Sequence, residues 1–536
     1  MRPSPARVLL VLVLAAGASA QWTVGVGGTP DRAGHADVVG PTAPTLGWSG
    51  SLPGIVAQQA VVDGDLVVVN RIESFTIPTG TWIVAHELDT GAIRWQVQLP
   101  MSFPDAWRSR VTGIRDGRVY ATRSGNTNAE FLYALEPADG SVLWQSQDLV
   151  IETTTESVAY ASDGDPITTG EVGGATHLLR IEATDGTTVW SIPRTCPTSG
   201  GCDAVVVGER VYYWEASPFG PVITAADAVA GVELYSSDAV GAGFIQQVAP
   251  FAGPDGTVYA PRSQNNPATD FLVAFDDTGT ALVERWSLPI GFVPFASHAF
   301  GPDGTLYTYG RDGEVLRVDT QTGTVLDASE PGVLAGGSAS PRIATGASGK
   351  VFLTNGGFAD GQLFVFTPDL RLIWTEAITN VNVGGPALAE DGTLVVCGVG
   401  TDVRAYRTDC DGYVVGYGVG CPGTGGLVPS LEASGCPAPG EAVSLTVGDA
   451  LGGAPALMLV GLGTDVLPVG ASCDVQVAPL SGLSIPLAVP AGGSLSLLGT
   501  LPASTPVVDV FLQVLVGDGG APGGLASTPP VQLHVE

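Results

Sequence analysis

The feature that most constrains this chain is a two-part unit that recurs from about residue 44 to residue 412. Its first part is a turn followed by a Val/Tyr-rich strand. Asp63-Gly64 precedes LVVV, Asp116-Gly117 precedes RVYATR, Asp255-Gly256 precedes TVYAPR, Asp303-Gly304 precedes TLYTYG and Asp391-Gly392 precedes TLVVCG. Looser copies stand at Asp163-Gly164, Gly208-Glu209 and Ser348-Gly349. Asp-Gly between alternating strands is a strong hairpin signal, because the turn needs positive φ angles that glycine tolerates. The second part is another turn that runs into a tryptophan: HELDTGAIRW to Trp95, ALEPADGSVLW to Trp144 and RIEATDGTTVW to Trp190. Weaker copies end at Tyr235, Asp327 and Trp374, and the copy ending at Trp286 carries a short insertion. The spacing, about 40 to 51 residues, is that of four-stranded β-propeller blades.

Within one copy, Ile93, Trp95, Val97 and Leu99 alternate with Ala92, Arg94, Gln96 and Gln98, which predicts a strand with one apolar and one polar face. No sustained 3.6-residue period occurs in the mature chain. The last repeat, around Gly385 to Gly412, has a hairpin but no closing tryptophan, whereas PTLGWSGSLP around Trp48 has a tryptophan strand but no hairpin. Joining the two completes one blade from both ends of the domain and removes free sheet edges. The count is then eight blades, or seven if the Tyr235 or Asp327 copy is misread. The fold class is therefore all-β, an about eight-bladed propeller over residues 21–412. Residues 413–536 differ in composition. They hold no Lys or Arg, are dense in Gly, Pro, Ala, Val and Leu, and show apolar runs between turns that read as a small C-terminal β-sandwich.

Arg2 and Arg7, the apolar run Val8 to Ala16 and Ala18-Ser19-Ala20 form an export signal over residues 1–20. That run is too short for a comfortable membrane span, and Gly and Pro interrupt the other apolar stretches. A formal net charge of −31 with Lys350 as the only lysine argues against nucleic-acid partners, which need clustered basic residues. Export permits disulfides. Of the seven cysteines, Cys196 and Cys202 flank a short Pro/Gly loop and form the first candidate pair, Cys421 with Cys436 the second. An odd count leaves at least one thiol unpaired or bonded to another chain.

The pattern apolar-x-Asp-x-x-(Thr/Asp)-Gly-x-x-x-Trp resembles the tryptophan-docking repeat of pyrroloquinoline-quinone (PQQ)-like propellers, and PDRAGHADVVGPTAPTLGW resembles the lead-in that often precedes them. The resemblance spans roughly residues 21–412. It implies structural roles between blades for Trp48, Trp95, Trp144, Trp190, Trp286 and Trp374. The tail opening, YGVGCPGTGGLVPSLEASGCPAPGEAVSLTV, resembles C-terminal β-sandwich modules of secreted bacterial proteins. Catalytic members of the propeller family bind PQQ and calcium on the axis and carry two adjacent cysteines, and this chain has no adjacent pair. PQQ and calcium are thereby disfavoured.

No catalytic constellation stands out. The histidines, His35, His86, His177, His298 and His534, form no HExxH or close pair, and there is no G-x-S-x-G elbow or P-loop. Asp409-Cys410-Asp411-Gly412 lacks the rest of a calcium-loop pattern and reads as a blade-closing turn. Paired carboxylates for glycoside cleavage cannot be chosen from the sequence. The expectation is a secreted or cell-surface, monomeric, non-catalytic scaffold whose loop faces meet a protein or glycan partner. The alternative is a PQQ-dependent or carbohydrate-active enzyme. The longer inserts, MSFPDAWRSR at 101–110 and RTCPTSGGC at 194–202, are candidate contact loops, with Trp107, Arg108 and Arg110 notable in so acidic a chain.

Overall fold

A computed structural model describes residues 22–25, 27–42, 45–51, 60–72, 80–100, 109–123, 129–151, 158–195, 204–240, 249–262, 270–291, 296–334, 341–355, 361–378, 384–397, 402–407, 410–469 and 473–536. The export signal, Trp107, Arg108, Cys196 and Cys202 lie outside these residues. The described elements are strands, with two short 3-10 turns and no α-helix.

The repeats form six separate four-stranded sheets and one eight-stranded sheet, all antiparallel within a repeat. The eight-stranded sheet is two four-stranded units, 110–150 and 159–193, stitched where Leu149 and Val150 pair with Glu171 and Gly170. In chain order we call the units blade 1 (61–97), blade 2 (110–150), blade 3 (159–193), blade 4 (205–236), blade 5 (251–289), blade 6 (299–328), blade 7 (342–378) and blade 8 (386–407). Blade 8 takes its outermost strand from the other end of the repeat region: Thr45–Ser51 pairs with Asp402–Arg407. The innermost strands of blades 1 and 8 also touch, so the first and last blades meet.

The blades are joined by a recurring seam. In the outermost strand, one extra residue stands immediately before the aromatic position. Ala85 faces Trp95 while His86 faces Ile93, which leaves Arg94 bulged. The same offset precedes Trp48, Trp144, Trp190, Tyr235, Trp286, Asp327 and Trp374. A β-bulge bends the strand and re-aims the next side chain. It also breaks the simple alternation expected for the first copy: Ile93 is 44% exposed, whereas Trp95 and Leu99 are buried.

The re-aimed ring lands on the next blade. Trp48, Trp95, Trp144, Trp190 and Trp286 donate from Nε1 to the carbonyls of Leu88, Pro137, Ala183, Ala228 and Thr320, at 2.6, 2.8, 3.0, 3.0 and 2.9 Å. Three residues past each carbonyl stands a glycine, and there the requirement is strict. Gly140 has a φ of +72°, and a Cβ on it would lie 2.6 Å from the Trp95 ring. Trp48, Trp95, Trp144 and Trp286 are buried, and Trp190 and Trp374 are half-buried. Trp374 meets Tyr406 of blade 8 edge-on at 6.1 Å.

The lead-in segment 22–42 runs along the inner edge of this ring. Val62 of blade 1 donates its backbone N–H to Trp22, Ile114 of blade 2 to Thr23, Ala252 of blade 5 to Asp31 and Phe300 of blade 6 to Ala33. Thr345 of blade 7 donates to Gly34 and accepts from Ala36. The stretch thus meets blades 1, 2, 5, 6 and 7 in chain order.

The tail forms two sheets. One contains Tyr413–Gly416, Val531–Val535, Val508–Gly517, Pro455–Pro468, Asp474–Ala488 and Leu525–Ser527, the other Ser430–Gly435, Ala442–Gly448 and Leu495–Thr500. Leu431, Val443 and Val447 of the smaller sheet share a buried core with Met458, Leu512, Val514 and Val516 of the larger. The cysteine pairing differs from the expected Cys421–Cys436. Cys410 bonds Cys436, and Cys421 bonds Cys473. The reason is where the chain enters the tail: Gly412 lies against the Pro437 carbonyl, which brings Cys410 beside Cys436. Cys421 and Cys473 both lie against Ser527. Cys397 is buried and free, and burial pushes its thiol up to about 12.

The tail is held to blade 7 by polar contacts. Lys350 donates from Nζ to Thr42 Oγ1 at 2.8 Å and to the Asp411 carbonyl at 2.9 Å, and faces Glu536 Oε2 at 3.8 Å. Arg371 reaches Gln532 and lies over the Tyr417 ring, 5.0 Å from its centre.

Candidate functional site

Strand order gives the ring two unlike faces. Each blade's short turn between its first and second strands and its tryptophan-receiving turn lie on one face, and the lead-in bonds the inner strands near that same end. The longer connections leave from the opposite face. Arg194 and Thr195, at the root of the 194–202 insert, and the turn between Arg210–Ser217 and Gly220–Asp227 of blade 4 stand there.

Around them is a cavity of about 490 Å³ lined by Thr195, Glu215, Ser217, Phe219, Glu233 and Asp238, among others. Its floor is fixed by charge. Arg194 donates from Nε to Glu215 Oε1 at 3.0 Å and from Nη2 to the Trp214 carbonyl at 2.7 Å, and its guanidinium lies over the Tyr213 ring at 4.9 Å. The second Glu215 oxygen accepts the Thr195 N–H at 2.7 Å. Tyr213 donates its hydroxyl to Glu233 Oε1 at 3.0 Å, and burial followed by the field of Glu233 pushes the phenol well above its ordinary range. The rim is apolar. Phe219 is 85% exposed, on a tight turn in which Ser217 pairs with Gly220 and the Ser217 hydroxyl accepts the Phe219 N–H at 3.2 Å. An exposed aromatic ring on a tight turn beside a walled polar hollow provides stacking area and oriented hydrogen-bond groups together.

Of the sequence-derived contact residues, only Arg110 lies among the described ones. It is the first residue of blade 2's innermost strand and is 1% exposed, so it belongs to the buried frame and not to an exposed loop tip. Trp107, Arg108, Cys196 and Cys202 lie outside the described residues. Phe219 was missed by sequence reasoning. The signal was present as Ser-Pro-Phe-Gly between two strands, an aromatic residue where turn chemistry favours small and polar ones. His86 is fully buried, donates from Nδ1 to the Gly91 carbonyl at 2.9 Å, and stacks on Trp48. No group of three or more His, Cys, Asp or Glu side chains is placed to hold a metal ion among the described residues.

The antiparallel four-stranded units, joined outer strand to neighbouring blade, define a β-propeller. The PQQ_2 family, described as outer membrane protein assembly factor BamB, matches residues 19–171 and 128–290, which together span half of the chain. The protein belongs to this PQQ-like propeller family. No curated protein matches the sequence. Among solved structures, BamB from Moraxella catarrhalis is similar at 15% identity and TM-score 0.45, over 68% of this chain and 100% of that one. The C-terminal WD40 domain of Sif2 is similar at 12% identity and TM-score 0.43, over 68% and 99%. A quinohemoprotein alcohol dehydrogenase, ADHIIG from Pseudomonas putida HK5, is similar at 13% identity and TM-score 0.37, over 80% and 76%.

Proposed function

We propose that this is an exported, non-catalytic binding propeller, monomeric, that presents its loop face to a protein or glycan partner of the cell envelope. In this reading residues 1–20 are the export signal, 21–412 the propeller and 413–536 a module that positions it. The observation that carries the reading is the exposed Phe219, on the tight turn at the rim of the hollow lined by Glu215 and Glu233. Rigid aromatic anchors beside satisfied polar groups are what recognition surfaces use. Membership of a family described as an outer membrane assembly factor supports an envelope partner.

The test measures binding to isolated envelope polysaccharide and, separately, to envelope protein. We expect Phe219→Ala to weaken one of these at least tenfold while leaving the melting temperature unchanged. Equal binding by variant and parent would remove the assigned surface. In parallel, the chain is titrated with PQQ and calcium, followed by tryptophan fluorescence and alcohol-dependent dye reduction. Saturable quenching with turnover would replace the scaffold reading by a quinoprotein one.

A further inference from the structure

The lead-in does not serve the blades equally. In blades 1, 2, 5, 6 and 7 the innermost strand gives one backbone N–H to it. Blade 4 has the same strand register as blade 1. Val205, Val206 and Val207 face Tyr212, Val211 and Arg210 just as Val61, Val62 and Asp63 face Val68, Val67 and Leu66. Val206 is therefore the counterpart of Val62, whose N–H turns away from the strand beside it to reach the Trp22 carbonyl. Among the described residues no backbone carbonyl outside the ladder accepts the Val206 N–H, although Val206 is only 6% exposed. A buried N–H without an acceptor costs free energy, and native structures supply a partner for nearly all of them.

The cause lies in the lead-in. Between Thr23, which accepts from blade 2, and Asp31, which accepts from blade 5, the segment coils on itself. The carbonyls of Gly27, Gly28 and Thr29 accept from Gly34, Val24 and Arg32 at 2.8, 3.1 and 2.8 Å, so they are spent within the segment. A cavity of about 410 Å³ is left between this coil and the inner ends of blades 2, 3 and 4, lined by Thr29, Asp31, Arg115, Tyr160, Ser162 and Val206, among others. Arg115 leans from blade 2 toward blade 3, its guanidinium carbon 5.7 Å from the centre of the Tyr160 ring. Its acidic contact is Asp116 Oδ2 at 3.6 Å, too long for a hydrogen bond. Asp31 engages one carboxylate oxygen, Oδ1, with the Ala33 N–H at 3.4 Å. Opposite charges thus border one cavity without an ion pair between them among the described residues, and Pro30, Ala161 and Val207 add apolar wall.

We propose that this cavity binds a small zwitterion whose carboxylate accepts from Arg115 and the Val206 N–H and whose ammonium group donates to Asp31. A guanidinium fork matches a carboxylate, and the ligand provides the acceptor that the coiled lead-in withholds from blade 4. A few polar groups set in an apolar wall are the usual make-up of a small-molecule site. The cavity opens on the lead-in face, away from Phe219, so the assignment stands apart from the loop-face reading. A free α-amino acid and a short peptide share this chemistry, and the experiment separates them.

The full chain is dialysed to equilibrium against isotope-labelled L-leucine and, separately, labelled leucyl-leucine. We expect saturable binding of one of them. Isocaproate, which is leucine without its amine, and isoamylamine, which is leucine without its carboxylate, should compete at least tenfold more weakly than the unlabelled ligand. Arg115→Gln should weaken binding at least tenfold, and so should Asp31→Asn, which keeps the backbone carbonyl that Ala252 uses. If Arg115→Gln does not fold, Asp31→Asn alone decides. No saturable binding to the parent, equal competition by either one-charge analogue, or parent-like binding by the variants overturns the site.

Discussion

The seam between blades 1 and 2 and the seam between blades 6 and 7 solve one problem with different residues. In the first, Trp95 covers Gly140 and donates to the Pro137 carbonyl. In the second the tryptophan position is Asp327, which turns back to pair with Arg317 of its own blade at 2.8 Å. The donor to the next blade comes instead from two strands further in: Tyr307 gives its hydroxyl to the Pro368 carbonyl at 2.7 Å. The receiving turn has changed too, with Leu370 at a φ of +63° where other seams place glycine. The seam between blades 4 and 5 is intermediate, since Tyr235 keeps the outer position and, with Tyr212, donates to Asp277. What all of these seams keep is a donor reaching the neighbour's turn face. The covering ring is optional.

The comparison is broken most directly by truncation. Trp95→Ala should cost about 3–5 kcal/mol, from lost ring burial and a cavity over Gly140. Urea denaturation with an unchanged m-value is the check. A loss below about 1 kcal/mol would make the docked ring as dispensable as its absence at Asp327 implies.

The tail seam adds an ionic variant. Burial opposes charge on His534, yet hydrogen bonds to Asp509 at 2.9 Å and the nearby Glu536 outweigh it and raise the imidazolium to about 9. A raised folded-state value means stabilisation that is complete below about pH 6.5 and lost as pH climbs through 9. Lys350, brought down to about 8 by burial, has the opposite sign, so stability from its neutral form is gained above that pH. The difference between parent and His534→Gln isolates the histidine. We expect the variant to be less stable by about 1–3 kcal/mol at pH 6, with the gap closing by pH 10.

The smallest effect sharpens the 6–7 seam. Tyr307→Phe keeps the buried ring and removes one hydrogen bond, so a loss of about 1 kcal/mol is expected in the same denaturation assay. No loss would mean that the hydroxyl does not replace the indole donor.

The repeat was legible because each copy restates it. Asp-Gly, the alternating strand and the late tryptophan recur, and together they define the all-β propeller class and the PQQ-like resemblance. The bulge before each aromatic was not legible, because it exists only relative to the strand alongside. Ile93 shows the consequence: its spacing from Trp95 is right for a buried face and its register is not. The pairing of Cys410 with Cys436 depends on where Gly412 meets Pro437, which no spacing encodes. The cavity at Phe219 went unread for a related reason. Its walls come from blades 3 and 4, and only the Ser-Pro-Phe-Gly turn was local.

The single lysine has a practical corollary. Lys350 is fully buried between blade 7 and the tail, so the folded protein offers amine-reactive reagents no lysine side chain at all. Acylation of Lys350 would therefore act as a clock for the opening of that seam. Because trypsin otherwise cleaves only at arginine, the modified site would be identified by one missing cut in a peptide map. A lightly built joint between a repeat ring and its tail thus carries its own chemical recorder, readable without introducing a probe.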